Sequence, residues 1–352
     1  MAGKKGKAFF GKILILLFLI LLIGGGYWVY KIHQTIFSPN VSLHGVESAY
    51  FCISTGSSFD DLTNLLGEKE YLKNTASFLW VAEKKNLRNN IHPGKYKLKD
   101  NMSNNKLVNL FRSGAQSPVK VLINPTRSRN IIASRVSRQL EADSIAISNL
   151  LNDKSFLAKY SVTNETWMSL FIPNTYEFLW NTSAEQFIER IAKENNRFWT
   201  KKRLDRAHKI GLSELEVSIL ASIVEQETIK NDEKPIIAGV YMNRLNKGMR
   251  LEADPTLIFA LGDFEITRVL DVHKTIESPY NTYKTRGLPP GPICIPTIKS
   301  LDAVLNYKKH KYLFFCAKED FSGYHNFAKT YSQHRINASK FQRELNRRRI
   351  WN

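Results

Sequence analysis

The segment Leu220-Ala221-Ser222-Ile223-Val224-Glu225-Gln226-Glu227-Thr228 carries two carboxylates two residues apart, near the end of a helical pattern. Ser213, followed three residues later by Glu216, forms a capping box that starts this helix by satisfying orphan amides at its first turn. At 3.6 residues per turn, Leu220, Ile223, Val224 and Glu227 share one face, and Ser218, Ala221, Ser222 and Glu225 share the other. The two carboxylates therefore point apart and cannot work as a pair on one bond. A carboxylate ending a row of small residues can look into a cleft that a bulky row would close. That makes Glu225 the candidate acid and leaves Glu227, on the apolar face, as mainly structural. Pattern alone also accommodates a solvated or capping role for Glu225.

Other stretches supply groups suited to a saccharide cleft. Tyr280-Asn281-Thr282-Tyr283 combines aromatic faces with amide and hydroxyl groups, a mix that holds sugar rings and N-acetyl groups. Asp254-Pro255-Thr256 reads as a turn with capping oxygens, for which structure and sugar contact are both open. Gly287 to Pro292 is a stiff, turn-rich loop that would fix a wall, and His325 could contact substrate or steady charge, although a lone His is commonly structural. Ser222 has no nucleophile-elbow context. No HExxH, clustered Cys/His or P-loop occurs, so neither metal nor cofactor is expected. Cys52, Cys294 and Cys316 lie in separate regions without metal-ligand spacing; an odd count leaves at least one without an intrachain partner. Cys316 reads as a small hydrophobe in a core strand.

Several ordered motifs together resemble one family. The string Ile223-Val224-Glu225-Gln226-Glu227-Thr228 is followed by Gly248-Met249-Arg250-Leu251-Glu252-Ala253-Asp254-Pro255-Thr256 and by Ser278-Pro279-Tyr280-Asn281-Thr282-Tyr283. Gly287-Leu288-Pro289-Pro290-Gly291-Pro292-Ile293 and His325-Asn326-Phe327 continue in the same order. This series resembles the endolytic murein transglycosylase (MltG/YceG-like) family. The resemblance implies Glu225, the first Glu of its motif, as the catalytic residue; residue chemistry makes Tyr280, Asn281, Thr282, Asp254 and His325 the candidates for substrate contact, with structural roles also open. Upstream, Phe171-Ile172-Pro173-Asn174-Thr175-Tyr176 matches a family block in which an acidic residue is usual where Asn174 stands, so no role is carried to that position.

The implied reaction cleaves the bond between N-acetylmuramic acid and N-acetylglucosamine in nascent peptidoglycan strands. A poor leaving oxygen must be protonated as oxocarbenium character develops. A Glu can do this near neutrality only if its pKa is lifted well above about 4.3, as burial beside apolar groups can do. A lytic transglycosylase needs no second carboxylate, because the sugar's tethered C6 hydroxyl attacks C1 and leaves a 1,6-anhydro end. Glu225 would give a proton to the leaving oxygen and then take one from that hydroxyl. Two rivals remain: a hydrolase pairing Glu225 with a second carboxylate such as Asp254, giving free reducing ends, and a membrane-anchored peptidoglycan-binding scaffold without catalysis.

The surrounding elements fit an enzyme outside the cytoplasm. Ile13 to Tyr30 is a nearly unbroken apolar run that would rise about 27 Å as a helix, close to one hydrocarbon core. Lys4, Lys5, Lys7 and Lys12 precede it without an acidic residue, which predicts a cytoplasmic tail over 1–12 and a single-pass protein of the inner (plasma) membrane. No A-x-A-like cleavage site follows, and Tyr27, Trp28 and Tyr30 suit an interfacial belt. The net charge of +19 then suits anionic head groups or acidic peptide stems, not nucleic acid. A tether is expected over 31–45 and a LysM-like βααβ module over 46–117, with or without glycan binding. The strand Ala49–Ile53, a Ser58/Asp61-capped helix, a second helix bearing Tyr71 to Val81 and the strand Lys95–Leu98 make up that module. A larger mixed catalytic domain fills 118–352, with helices over Ile131–Leu140, Ala184–Phe198, Pro235–Leu245 and Ser332–Arg349. The fold class is α+β with segregated elements. Synthases of the penicillin-binding class are partners by resemblance alone.

Overall fold

The computed structural model describes residues 3–350 apart from Thr267, so the ends of the expected tail (1–12) and catalytic domain (118–352) fall partly outside the described residues. The chain divides into two compact units, one of residues 1–119 with 177–181 and one of residues 120–176 with 182–352.

The first unit opens with α1 (Gly3–Phe37), followed by β1 (Ser48–Ile53), α2 (Phe59–Glu68), α3 (Thr75–Lys84), β2 (Gly94–Lys99) and α4 (Asn104–Ser113). Within α1, Lys12–Phe37 is long and apolar enough to cross a membrane, and its most apolar window is not covered by the protein, whereas Ile36 at its end packs on the core of this unit. β1 and β2 pair antiparallel from Ser48↔Lys99 to Ile53↔Gly94. Alternate strand residues Phe51, Ile53, Tyr96 and Leu98 face a core shared with Leu62, Leu66, Phe78, Val81 and Phe111. Ser58 caps α2 in a complete capping box with Asp61, and burying the apolar side of that helix closes the βααβ arrangement. The second helix begins at Thr75, so Tyr71 and Leu72 precede it; Leu72 bridges to Val41 instead. Residues expected as a tether are partly structural: helix α1 continues to Phe37, and Val41 and Leu43 are buried. Asn40 binds the Asn104 amide oxygen at 2.7 Å, and Asn104 in turn donates to Thr35 O at 2.9 Å, tying the end of α1 into this unit.

Beyond it run β3 (Val119–Ile123), α5 (Arg129–Ser137), α6 (Ser144–Asn152), α7 (Lys154–Ala158) and β4 (Asn174–Phe178), β3 and β4 pairing in a second two-stranded sheet. Helices α8 (Ala184–Phe198), α9 (Lys201–Lys209), α10 (Glu214–Glu227), α11 (Lys234–Asn246), α12 (Asp254–Leu261) and α13 (Ile298–Leu305) follow. The antiparallel hairpin β5 (Phe314–Ala317) and β6 (His325–Ala328) and the basic helix α14 (Tyr331–Arg347) end the chain. Among the described residues the architecture is mixed α+β, with helices dominant and three two-stranded sheets.

Helix α10 is the axis of the second unit. Its predicted capping box is present: Ser213 N donates to Glu216 Oε2 at 2.8 Å, and Glu216 N returns to Ser213 Oγ at 3.2 Å. Every residue from Val217 to Val224 is buried, because α11, α12, α13 and the chain around Ile293 surround the helix. The small face is therefore close-packed at Ala221 and Ser222, and opens at its end, where Glu225 lines a cavity. Ser222 Oγ accepts from Ile293 N at 3.0 Å while donating to Ile219 O at 2.7 Å, which pins the Gly287–Pro292 loop to the helix. That loop can approach closely because Gly291 has no Cβ; one would lie 2.0 Å from Glu165 O.

Candidate active site

The two glutamates at the end of α10 enter different surroundings. Glu225 Oε2 accepts from Lys234 Nζ at 3.0 Å, from Thr297 N at 3.2 Å, and from the hydroxyls of Thr297 and Ser300. Thr297 is the N-cap of α13, so this carboxylate also sits where a helix N-terminus favours negative charge. Burial works to raise its pKa, but the hydrogen bonds from Ser300, Thr297 and Lys234 outweigh it and hold the carboxyl below its ordinary value. A carboxyl held in that way is a poor proton donor near neutrality. Lys234 is itself almost wholly buried, which makes the pair an internal ion pair. Beside it lies an open cavity of about 550 Å³ with Asn174, Thr175 and Asn231 in its walls.

Glu227 faces the other way, into a cavity of about 590 Å³ that it shares with Tyr241, Arg244, Asp254, Tyr283, Phe315 and His325. Burial raises its pKa to about 7, against the lowering effect of the Tyr241 hydroxyl, which donates to Oε1. The Asp254 charge adds to the rise, and Arg244 opposes it. The Tyr283 hydroxyl donates to Asp254 Oδ1 at 2.5 Å, and burial and that bond push the phenol upward. Arg244 is fixed beneath the cavity by bonds from Nε to Leu313 O at 2.7 Å and from Nη1 to Leu251 O at 2.9 Å. His325 stands on β6, with its Nδ1 2.9 Å from Glu233 Oε2.

Of the six residues expected at the site, the structure brings only Asp254 and His325 to one cavity, and places Glu225 elsewhere. Asn281 and Thr282 are fully buried. The Asn281 amide donates to Lys274 O and Ile276 O at 3.0 and 2.8 Å, while Thr282 Oγ1 accepts from Ala253 N at 3.0 Å and meets Thr256 Oγ1 at 2.8 Å. These two side chains hold the walls together; their polar groups are already spent inside. Tyr280 packs on Phe259 at 4.8 Å between ring centres and turns away from the cavity. Asp254-Pro255-Thr256 is not a free turn but the first turn of α12, where Pro255 needs no amide partner.

The cavity also gathers Tyr241 and Arg244, which the sequence did not single out, and Glu227, which it read as structural, while Glu233 backs His325. One available signal was Glu227 itself: a carboxylate on an apolar helix face costs free energy unless its desolvation serves a purpose. Cys294 is buried beside Gln226, and its thiol is pushed up to about 12 by burial. Cys316 lies in strand β5 as expected but is half-buried at the cavity wall. Among the described residues, no group of His, Cys, Asp and Glu has the geometry of a metal site.

A family model described as the YceG-like family matches residues 51–340. The chain belongs to the YceG-like family. The match takes in both glutamates, the α12 start, the Tyr283 wall and the His325 strand. An endolytic murein transglycosylase of Bacillus subtilis (strain 168) is 28% identical over 337 residues, covering 91% of each chain. One from Streptococcus pneumoniae serotype 2 is 27% identical over 342 residues, covering 87% of this chain and 60% of its own. Among solved structures, a YceG-like protein of Listeria monocytogenes superposes with a TM-score of 0.56 at 30% identity, covering 82% of this chain and 98% of that one.

Proposed function

We propose that this protein is an endolytic lytic transglycosylase that cleaves the MurNAc–GlcNAc bond of peptidoglycan strands, with Glu227 as its acid. The relatives named endolytic murein transglycosylase support the reaction. One observation carries the residue assignment: Glu227, its pKa raised to about 7, shares a cavity with Asp254, Tyr283 and His325, whereas Glu225 is tied to Lys234. A carboxyl of that pKa is protonated in a useful fraction near neutrality and is also a competent base once ionised. Glu227 gives its proton to the leaving oxygen as the bond to C1 breaks. The C6 hydroxyl of the same sugar attacks C1, and the Glu227 carboxylate takes up the hydroxyl proton. Atoms and charge close without water. Effective concentration replaces recruitment of a nucleophile, because the hydroxyl is already tethered to the reacting ring. Asp254 lies close enough to bias the charge on Glu227, and its partner Tyr283 holds it in place.

Helix α1 supports an anchor: its uncovered apolar surface has the length of a bilayer core, and the lysines before it would stay cytoplasmic. On that reading the catalytic unit works on the outer face of the plasma membrane. The βααβ arrangement of the first unit supports a LysM-like spacer, and wall synthases would be its neighbours.

Digestion of uncrosslinked peptidoglycan in heavy-oxygen water tests the reaction. The expected product is an unlabelled 1,6-anhydro end, lighter by one water than a reducing end. Labelled reducing sugars would identify a hydrolase, since its new bond to C1 takes oxygen from solvent. A folded protein releasing no product would favour the scaffold.

A further inference from the structure

Glu233 is 4% exposed at the N-terminal cap of α11, and both of its oxygens are committed to one residue. Oε1 accepts from the His325 backbone N–H at 2.9 Å, and Oε2 lies 2.9 Å from His325 Nδ1. A carboxylate can only accept, so the ring hydrogen in this contact belongs to Nδ1. The ring plane is fixed as well, because Phe315 meets it edge-on at 5.3 Å. Nε2 then remains as the nitrogen that His325 offers to the cavity it shares with Glu227.

We infer that Glu233 is a positioning residue that holds His325 with Nε2 as a hydrogen-bond acceptor, so that the cavity selects a sugar group carrying a donor at this wall. The group is a hydroxyl or an acetamido N–H; that it belongs to a peptidoglycan sugar rests on the transglycosylase reading. Most other polar groups in the cavity carry charge or donate. Arg244 from α11 and Lys274 are donors without acceptor capacity, and Glu227, Glu252 and Asp254 are carboxyls. A neutral nitrogen acceptor held in one direction complements them.

The test uses the detergent-solubilised full chain with nitrogen-15 in its histidines, the His325 signals being identified by their loss in His325→Ala. Wild-type shifts should report the Nδ1–H tautomer. Glu233→Gln leaves one acceptor oxygen where two bonds need acceptance and brings an NH₂ group, so the Nε2–H tautomer should become populated. KM for soluble uncrosslinked glycan strands should rise about tenfold with kcat changed less than about threefold. His325→Ala should raise KM similarly, and adding Glu233→Gln to it should bring no further increase. An Nε2–H wild-type ring, or an equal Glu233→Gln effect in the His325→Ala background, would overturn the inference. If Glu233→Gln does not fold, the wild-type tautomer still decides, together with the KM of His325→Ala. An Nδ1–H ring in a protein that cleaves nothing would remove the transglycosylase reading and leave the pair; the reverse result would remove the pair alone.

Discussion

Glu225 and Glu227 stand two residues apart at the end of α10 and are stabilised in opposite protonation states. Lys234 Nζ donates to Glu225 Oε2 at 3.0 Å, within a nest of donors that favours the anion. Glu227 meets the Tyr241 hydroxyl in a desolvated wall that favours the neutral acid. One short stretch of helix thus separates a carboxylate kept charged from a carboxyl poised to titrate.

Replacing each glutamate by glutamine should therefore have different consequences. Glu227→Gln should lower kcat roughly a hundredfold or more, the scale of a lost proton donor, while the fold persists. Glu225→Gln leaves the buried Lys234 ammonium without its counter-charge and should cost about 3–5 kcal/mol of stability. Thermal melts beside turnover assays check both. A Glu227→Gln enzyme turning over at the wild-type rate would refute the acid assignment.

With Glu227 as the proposed acid, its raised pKa should set an alkaline limit on activity. Its protonated form is required for leaving-group departure, so kcat/KM should fall as pH passes through about 7. The stability sign follows from the same shift. With a folded value of about 7 above an ordinary 4.5, the neutral form's contribution is complete below pH 4.5 and is lost as pH rises to about 7. Glu227→Gln should then be more stable than wild type at pH 8, by at most about 3 kcal/mol. A pH–rate profile and paired melts at pH 5 and 8 measure the two effects.

Asp254 should tune that limit without changing the product. Its charge raises the Glu227 pKa, so Asp254→Asn should move the alkaline limb to lower pH. Anhydro ends should persist, because no second carboxylate is needed to activate water. Free reducing ends appearing in wild type and vanishing in Asp254→Asn would restore the hydrolase rival.

Thr282 should behave as a structural residue. Its hydroxyl serves Ala253 N and Thr256 inside the fold, so Thr282→Val leaves buried polar groups unpaired and should cost about 1–3 kcal/mol. KM should move little if the walls keep their shape. A large rise in KM with an unchanged melting temperature would return Thr282 to the substrate.

Much of this molecule was written locally. The apolar run of α1, the capping boxes at Ser58 and Ser213, and the βααβ order each depend on residues close in sequence, so spacing and propensity suffice to read them. The bounds of Ala184–Phe198 are legible for the same reason, with Ser183 and Gln186 capping a strongly two-faced helix. Which glutamate titrates was not legible. Periodicity gave α10 an open face and a closed face, but tertiary packing buries both, and what then differs is the partner each carboxyl finds. Glu225 meets Lys234, Thr297 and Ser300, which lie up to 75 positions away; Glu227 meets Tyr241, with His325 and Asp254 across the cavity. The polar motif Tyr280–Tyr283 likewise buries Asn281 and Thr282 and leaves its two tyrosines half-buried, Tyr283 at the cavity, a choice made by the walls it joins. Sequence fixes residue types and local periodicity, whereas a pKa is set by desolvation and by charges brought near through folding.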